Sequence, residues 1–128
     1  MLYMFLLYSE PGTEFPPSIL DDHLAFTARQ RERGGYISSE ALGHAPSWTV
    51  RVRNGKVQAT DGPFAETKEV LGGFYILDCE DLEGALAAAA EIPDANVGSV
   101  EVRPILGIPD WPYAVGADRK RQPIGAGD

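Results

Sequence analysis

The chain has 128 residues, 44% of them hydrophobic, which is enough for a single domain with a substantial core. Its formal net charge of −8 gives a surface that repels phosphate backbones, so nucleic acid is excluded as an expected partner, and its one cysteine cannot form an intrachain disulfide. The apolar start of the chain lacks a basic flank and is too short to span a membrane, so we expect no membrane association and a cytoplasmic location.

The first third of the chain reads as strand, helix, strand. Residues 2–8 (LYMFLLY) form a continuous apolar run, which is typical of a strand buried on both faces. A helix is predicted to start near Pro17 or Ser18 and to end at the glycine pair 34–35, and a short strand is predicted over 36–42.

A β-hairpin is predicted over residues 48–60 (WTVRVRNGKVQAT). Apolar and polar residues alternate along both arms, and Asn54-Gly55 supplies the two positive-φ positions of a type I′ turn. The charged stretch TDGPFAETKE follows at 60–69.

The second half of the chain repeats the strand, helix, strand order. Residues 72–79 (GGFYILDC) form another continuous apolar strand. A helix is predicted from about Asp81 to Ile92, with Leu82, Leu86 and Ala89 on its packed face, and Pro93 ends it. A last strand is predicted over 98–105, and residues 106–128 are expected to form an irregular tail after a domain that spans residues 1–105.

This element order predicts an α+β, ferredoxin-like βαββαβ fold with an extra β-hairpin. In that topology the first and third core strands are central, and residues 2–8 and 73–79 are the two runs without alternation. Two helices cover only one face of such a sheet, and the other apolar face would be costly in water. We therefore expect a homodimer through the sheet face, although the tail, with Trp111 and Tyr113, could cover part of it instead.

The segments TDGPFAETKE, LGGFYILD, EDLEGALAAAAEIP and GSVEVRPI together resemble the DGPF-type branch of the YCII-related proteins, over about residues 1–105. The resemblance implies a dimeric α+β barrel, a bacterial cytoplasmic origin, and a pocket with a His–Asp pair. The histidine position matches His23 in ILDDHLAF. The family's aspartate follows a Gly-Pro motif after the second strand, but this chain reads ALGHAPSW there and has no aspartate, which leaves Asp61 as a candidate.

His23 is the first candidate catalytic residue. At about 100° per helical residue it falls inside the apolar arc between Ile19 and Leu20, facing the sheet. A histidine there suits acid–base work, because small environmental shifts move its titration across neutral pH. The alternative is a core histidine that bonds a backbone carbonyl.

The stretch TDGPFAETKE supplies the other candidates. Asp61 is expected either to orient the His23 ring or to close an Asx-turn before Gly62-Pro63. Glu66 is an alternative catalytic carboxylate, and its mixed-sign cluster with Lys68 and Glu69 is either a pocket rim or a solvated face. The predicted ligand-binding residues are Lys68, Glu69 and Phe64.

Two functions remain open from the sequence. The first is a small enzyme without cofactor or metal that acts on a small organic molecule by His-based proton transfer, elimination or isomerisation. The second is a non-catalytic dimeric module that binds a ligand or protein, which the resemblance links to sigma-factor regulation. Convergence of His23 and a carboxylate on one concave pocket favours the first function.

Overall fold

The protein is described by a computed structural model over residues 1–64 and 67–125. Within these residues, two helices, a 3₁₀ turn and eight strands follow one another. In chain order they are β1 (Leu2–Ser9), α1 (Ile19–Glu32), β2 (Tyr36–Ala41), β3 (Trp48–Arg53), β4 (Lys56–Asp61), β5 (Val70–Asp78), α2 (Leu82–Glu91), the 3₁₀ turn (Pro93–Asn96), β6 (Ser99–Pro104), β7 (Leu106–Gly107) and β8 (Gln122–Pro123). No helix in this part of the chain has the length and apolar character needed to cross a membrane.

The main sheet has the strand order β2-β5-β1-β6, and all its pairs are antiparallel. The two strands that the sequence predicts to be central, β1 and β5, are the inner pair. The α+β fold class and the ferredoxin-like order are therefore confirmed. These strands pair on both edges and place apolar residues on both faces of the sheet, so their sequences do not alternate between polar and apolar residues.

The core lies between this sheet and the helices. Alternate residues of β1 and β5 point to the helix side and are buried there. This cluster consists of Tyr3, Phe5, Leu7, Tyr75 and Leu77 from the strands, Phe26 from α1, Ala85, Ala88 and Ala89 from α2, and the flanking Cys79 and Ile92.

Helix α2 packs through alanines. The predicted packed face is wrong for two of its three residues, because Leu82 and Leu86 are 55% and 52% exposed. The buried residues are Ala85, Ala88 and Ala89. Small side chains allow the helix backbone to approach the sheet closely, and the larger leucines then lie outside the contact. The Asp81 side chain accepts a hydrogen bond from the Gly84 N–H (2.8 Å) and caps the helix N-terminus.

The predicted hairpin is present as a separate two-stranded sheet, β3-β4. Asn54 and Gly55 have φ of 52° and 75°, the positive values that the turn requires. One face of the hairpin carries Trp48, Val50 and Val52, all more than half exposed. This face has no cover within the described part of the chain.

The sheet face opposite the helices is covered at one end only. Leu2 is fully buried there, and its N–H donates to the Lys120 carbonyl of the tail (2.8 Å). Met4, Leu6 and Phe74, on the same face, are only half-buried. The tail between β7 and β8 therefore covers the Leu2 end, whereas Trp111 and Tyr113 point outward, with 55% and 81% exposure.

Asp78 links the chain start to the tail. Its Oδ1 accepts from the Met1 ammonium (2.8 Å) and its Oδ2 accepts from Arg119 Nη1 (3.1 Å). Partial burial alone would raise the pKa of the Asp78 carboxyl, but the two cationic donors outweigh it and hold that pKa below its usual value.

Asp78→Asn should therefore lower stability in a pH-dependent way. A carboxyl with a depressed folded pKa stabilises the fold above its unfolded pKa, and this contribution is lost as pH falls through the lower folded pKa. We expect the free energy of unfolding in urea to differ between wild type and variant at about pH 7 and the difference to shrink towards about pH 2. Asp118→Asn, at an exposed tail position, is the matched control; a difference that stays constant with pH would contradict this assignment.

Candidate active site

Helix α1 presents His23 to the sheet. His23 and Phe26 are three residues apart and so lie on the same side of the helix. Phe26 is fully buried in the core, which orients this side of α1 towards β5. The His23 side chain remains 24% exposed, so it is anchored to the sheet but accessible from a cavity.

Both ring nitrogens of His23 have a side-chain partner. Nδ1 lies 2.7 Å from the Tyr75 Oη, and Nε2 lies 2.7 Å from the Asp94 Oδ1. The His23 and Tyr75 rings are stacked at 14°, with centroids 5.8 Å apart. Thr27, one turn along α1, places its Oγ1 3.4 Å from the same Tyr75 oxygen. A hydrogen-bonded chain Tyr75–His23–Asp94 thus joins a strand, a helix and a turn.

Tyr75 is held rigidly by the core. It lies on the central strand β5 directly opposite Phe5 and meets Phe26 edge to face, with centroids 5.1 Å apart. Burial raises the pKa of the Tyr75 phenol above its ordinary value; the hydrogen bond with Thr27 acts in the opposite direction, and the Asp94 charge adds to the rise. Tyr75 therefore keeps its proton at neutral pH.

Asp94 reaches His23 from the 3₁₀ turn that follows α2. Ile92, which precedes the turn, is fully buried, and the Asp94 carbonyl accepts hydrogen bonds from Val97 N–H (3.2 Å) and Gly98 N–H (2.8 Å). A Cβ at Gly98 would lie 2.0 Å from the Tyr8 carbonyl oxygen. Only glycine at this position allows the segment that follows the Asp94 turn to lie this close to β1.

A cavity of about 490 Å³ opens beside His23, between α1 and the sheet. Its walls are mainly apolar, and its polar groups lie near His23 and along β2. The lining residues are Leu7, Phe15, Ile19, Leu20, Leu24 and Ala41, the polar His23, Thr27, Ser39, Glu40, Tyr75 and Asp94, and the glycines Gly72 and Gly73. None of the described residues that line it is Lys or Arg.

The two glycines shape the sheet side of the cavity. The β1–β5 register shifts between Leu7 and Tyr8, which makes Gly72 the extra residue of a β-bulge. A Cβ at Gly73 would lie 2.9 Å from the Glu40 carbonyl oxygen, so glycine permits the close approach of β2. The sequence predicts only that these glycines serve backbone shape; the structure shows that they do so at the cavity.

Asp61 is not the carboxylate that pairs with His23. It lies exposed at the end of β4, opposite Trp48, and it does not line the cavity. The hairpin carries it away from the main sheet, and the position beside His23 belongs to Asp94. Glu66, the other predicted catalytic carboxylate, lies outside the described residues.

The remaining candidates of the charged stretch line other surfaces. Lys68 Nζ pairs with Glu10 Oε1 (3.2 Å), and the Ser99 Oγ donates to Glu69 Oε1 (3.2 Å). Lys68 and Glu69 both line a surface concavity that is separate from the His23 cavity. Phe64 is 74% exposed, with the Arg51 guanidinium 4.9 Å above its ring. A ligand-binding role for Lys68, Glu69 and Phe64 stays a prediction, and it concerns a surface other than the His23 cavity.

Sequence reasoning missed Tyr75 and Asp94. Tyr75 had a usable signal: strand alternation places it on the helix face, and a buried tyrosine hydroxyl needs a partner. Asp94 had none, because the segment EIPDAN indicates only the end of a helix. Across the described residues, no group of three or more His, Cys, Asp or Glu side chains could hold a metal ion.

Comparison with known proteins supports the resemblance to the YCII-related proteins. The chain is 35% identical over 114 residues to "Uncharacterized protein R00369" of Rhizobium meliloti (strain 1021), covering 82% of this chain and 92% of that protein. It is also similar to the solved structure of 5-chloro-2-hydroxyhydroquinone dehydrochlorinase (TftG) from Burkholderia phenoliruptrix AC1100 in complex with 2,5-dihydroxybenzoquinone. That match has a TM-score of 0.45 and 15% identity, and it covers 80% of this chain and 91% of that one. The family model of the YCII-related domain matches residues 1–111, and the chain therefore belongs to the YCII-related domain family.

Proposed function

We propose that the protein is a cofactor-independent enzyme that transfers a proton to or from a small neutral organic molecule in the His23 cavity. The observation that carries this proposal is the His23–Asp94 pair, joined at 2.7 Å beside a cavity of about 490 Å³. Small-molecule sites commonly have volumes of about 300–1,000 Å³.

The pair has the arrangement of a catalytic acid–base group. A carboxylate on one imidazole nitrogen orients the ring and stabilises the imidazolium that forms when the other nitrogen gains a proton. A binding module, by contrast, would need His23 only to pack against backbone. The hydrogen bonds of His23 to the Asp94 carboxylate and the Tyr75 hydroxyl, together with its partial exposure, favour an enzyme over a binding module.

The cavity lining supports a class of substrate. Among the described residues that line it are two acidic ones, Glu40 and Asp94, and no Lys or Arg, so a phosphate or carboxylate group would find no permanently charged cation there. Leucine, isoleucine and phenylalanine walls favour an apolar body of about one ring. Ketones and enones of this size, which undergo enolisation, elimination or isomerisation, fit this description.

The test is catalysed exchange of carbon-bound protons. Neutral one-ring ketones and enones are incubated with protein in D₂O, and loss of the α-proton signal is followed by NMR. We expect the wild type to accelerate exchange for members of this panel and His23→Gln to lower that rate about 10²- to 10⁴-fold, the usual contribution of a general acid–base group.

His44→Gln is the matched control, because it changes the chain's other histidine, which does not line the cavity. Thermal melts of both variants establish that they are folded. Wild-type exchange no faster than buffer across the panel, or full activity in His23→Gln, would overturn the proposed function.

We also propose that the protein is a homodimer through the open sheet face. Met4, Leu6 and Phe74 are only half-buried in one chain, and pairing two such faces would remove this apolar surface from water. Light scattering at micromolar concentration should give twice the chain mass, and Leu6→Glu should shift it towards the monomer. A monomeric mass for the wild type would refute the dimer without affecting the His23 cavity.

A further inference from the structure

The hydrogen bonds around His23 leave no ring nitrogen open to a substrate. Nε2 is bonded to Asp94 and Nδ1 to Tyr75, both at 2.7 Å. A molecule in the cavity that approached His23 directly would have to displace one of these partners. Tyr75 also lines the cavity, and a hydroxyl oxygen that donates one hydrogen bond still has a lone pair that can accept another.

The donor and acceptor of each hydrogen bond in the Tyr75–His23–Asp94 series follow from the Asp94 carboxylate. An ionised carboxylate only accepts, so the Asp94 partner Nε2 carries the hydrogen. Neutral imidazole has one N–H, and Nδ1 is therefore the acceptor. The Tyr75 O–H must then donate to Nδ1, and Thr27 Oγ1, at 3.4 Å, is placed to donate to the Tyr75 oxygen.

We propose that Tyr75 is the catalytic residue that exchanges the proton with the substrate. His23 accepts the proton of the Tyr75 hydroxyl, and Asp94 stabilises the imidazolium that results. This inference rests on the proposed function. In the forward step the α C–H bond of a ketone breaks and its proton goes to the Tyr75 oxygen. The Tyr75 hydroxyl proton moves to His23 Nδ1, and the C–H electron pair remains on the substrate as an enolate. The imidazolium is paired with Asp94, and reprotonation of the enolate reverses both transfers.

The position of Tyr75 suits this role. Its ring meets Phe26 edge to face and belongs to the same buried core cluster as its strand partner Phe5, so the hydroxyl cannot swing away from His23 without disturbing the core. The raised pKa of the buried phenol keeps the Tyr75 hydroxyl protonated in the resting state. Its neighbour across the sheet on the cavity side is Ser39 of β2, which leaves room for a ligand rather than a large side chain.

The first experiment measures the His23 tautomer by ¹⁵N NMR with histidine-selective labelling. The chain has only two histidines, and His23→Gln assigns the signals. We expect a protonated Nε2 and an unprotonated Nδ1 in the neutral ring. A dominant Nδ1–H tautomer would overturn the relay, because His23 would then donate to Tyr75 and could not receive its proton. This readout requires no substrate.

The second experiment measures the exchange rate of Tyr75→Phe in the same D₂O assay. We expect a loss of about 10²-fold or more, while Tyr113→Phe, at a tyrosine 81% exposed on the tail, keeps the wild-type rate. The phenylalanine variant keeps the ring and its packing, and a thermal melt confirms folding.

The two proposals fail in different ways. Wild-type activity in Tyr75→Phe together with a loss in His23→Gln would overturn the role of Tyr75 and leave the proposed function in place. Wild-type activity in His23→Gln would overturn the proposed function itself. A loss in both variants, with the Nε2–H tautomer, supports the whole chain of three residues.

Discussion

Asp94→Asn is expected to slow α-proton exchange about 10²- to 10⁴-fold, whereas Asp61→Asn leaves the rate unchanged. Asparagine has nearly the shape of aspartate, so the cavity should be preserved. It carries no charge to stabilise an imidazolium, and its amide can also present a donor to His23 Nε2, which would favour the unproductive tautomer.

The Asp61 variant makes the comparison decisive. Both substitutions are Asp to Asn, but Asp61 is exposed at the end of the hairpin, while the Asp94 side chain is 14% exposed and bonded to His23. Exchange rates and the ¹⁵N tautomer populations of His23 should change together for Asp94→Asn alone. A slow Asp61→Asn and an active Asp94→Asn would contradict the assignment of Asp94 as the partner.

Phe26→Ala is expected to lower the free energy of unfolding by about 3–5 kcal/mol. Phe26 is fully buried between α1 and the sheet and contacts the Tyr75 ring edge to face. Removing the ring deletes its buried surface and leaves a cavity between α1 and the sheet, where Gln30 is the other buried residue that α1 contributes.

Leu24→Ala on the same helix is the control. Leu24 is 59% exposed, and substitutions at such positions usually change stability by within about 0.5 kcal/mol. Both variants should be unfolded in urea at one protein concentration, since self-association would add to the apparent stability. Equal losses for the two variants would mean that α1 is not held to the sheet through Phe26.

The architecture could be predicted because its signals are local. A continuous apolar run marks each central strand, Asn54-Gly55 marks the hairpin, and the glycines at 34–35 mark the end of α1. Helix α2 shows the limit of this reasoning. Periodicity identifies its apolar residues but carries no information on how closely the helix approaches the sheet, and that distance selects alanines over leucines for the buried face.

The site could be predicted only in part, because its three members are distant in sequence. His23 stands out as a polar residue on an apolar helix face. Asp94 lies 71 residues further along the chain and meets His23 only because the fold places the turn after α2 against α1. The charged stretch 60–69 stands out by composition, yet its described residues belong to the hairpin and the segment after it, and none of them lines the cavity.

The position of the hairpin has a consequence for how this chain can change in evolution. Strands β2 and β5 are neighbours in the main sheet, and the Leu42 N–H donates to the Gly72 carbonyl (2.9 Å) just where the β3-β4 arm leaves and returns. The main sheet, which positions Tyr75 and packs against the elements that carry His23 and Asp94, is therefore hydrogen-bonded up to the base of the hairpin. Insertions and deletions in the β3-β4 hairpin should leave the positions of the three residues unchanged. We therefore expect relatives with different partners to differ in length first in this hairpin.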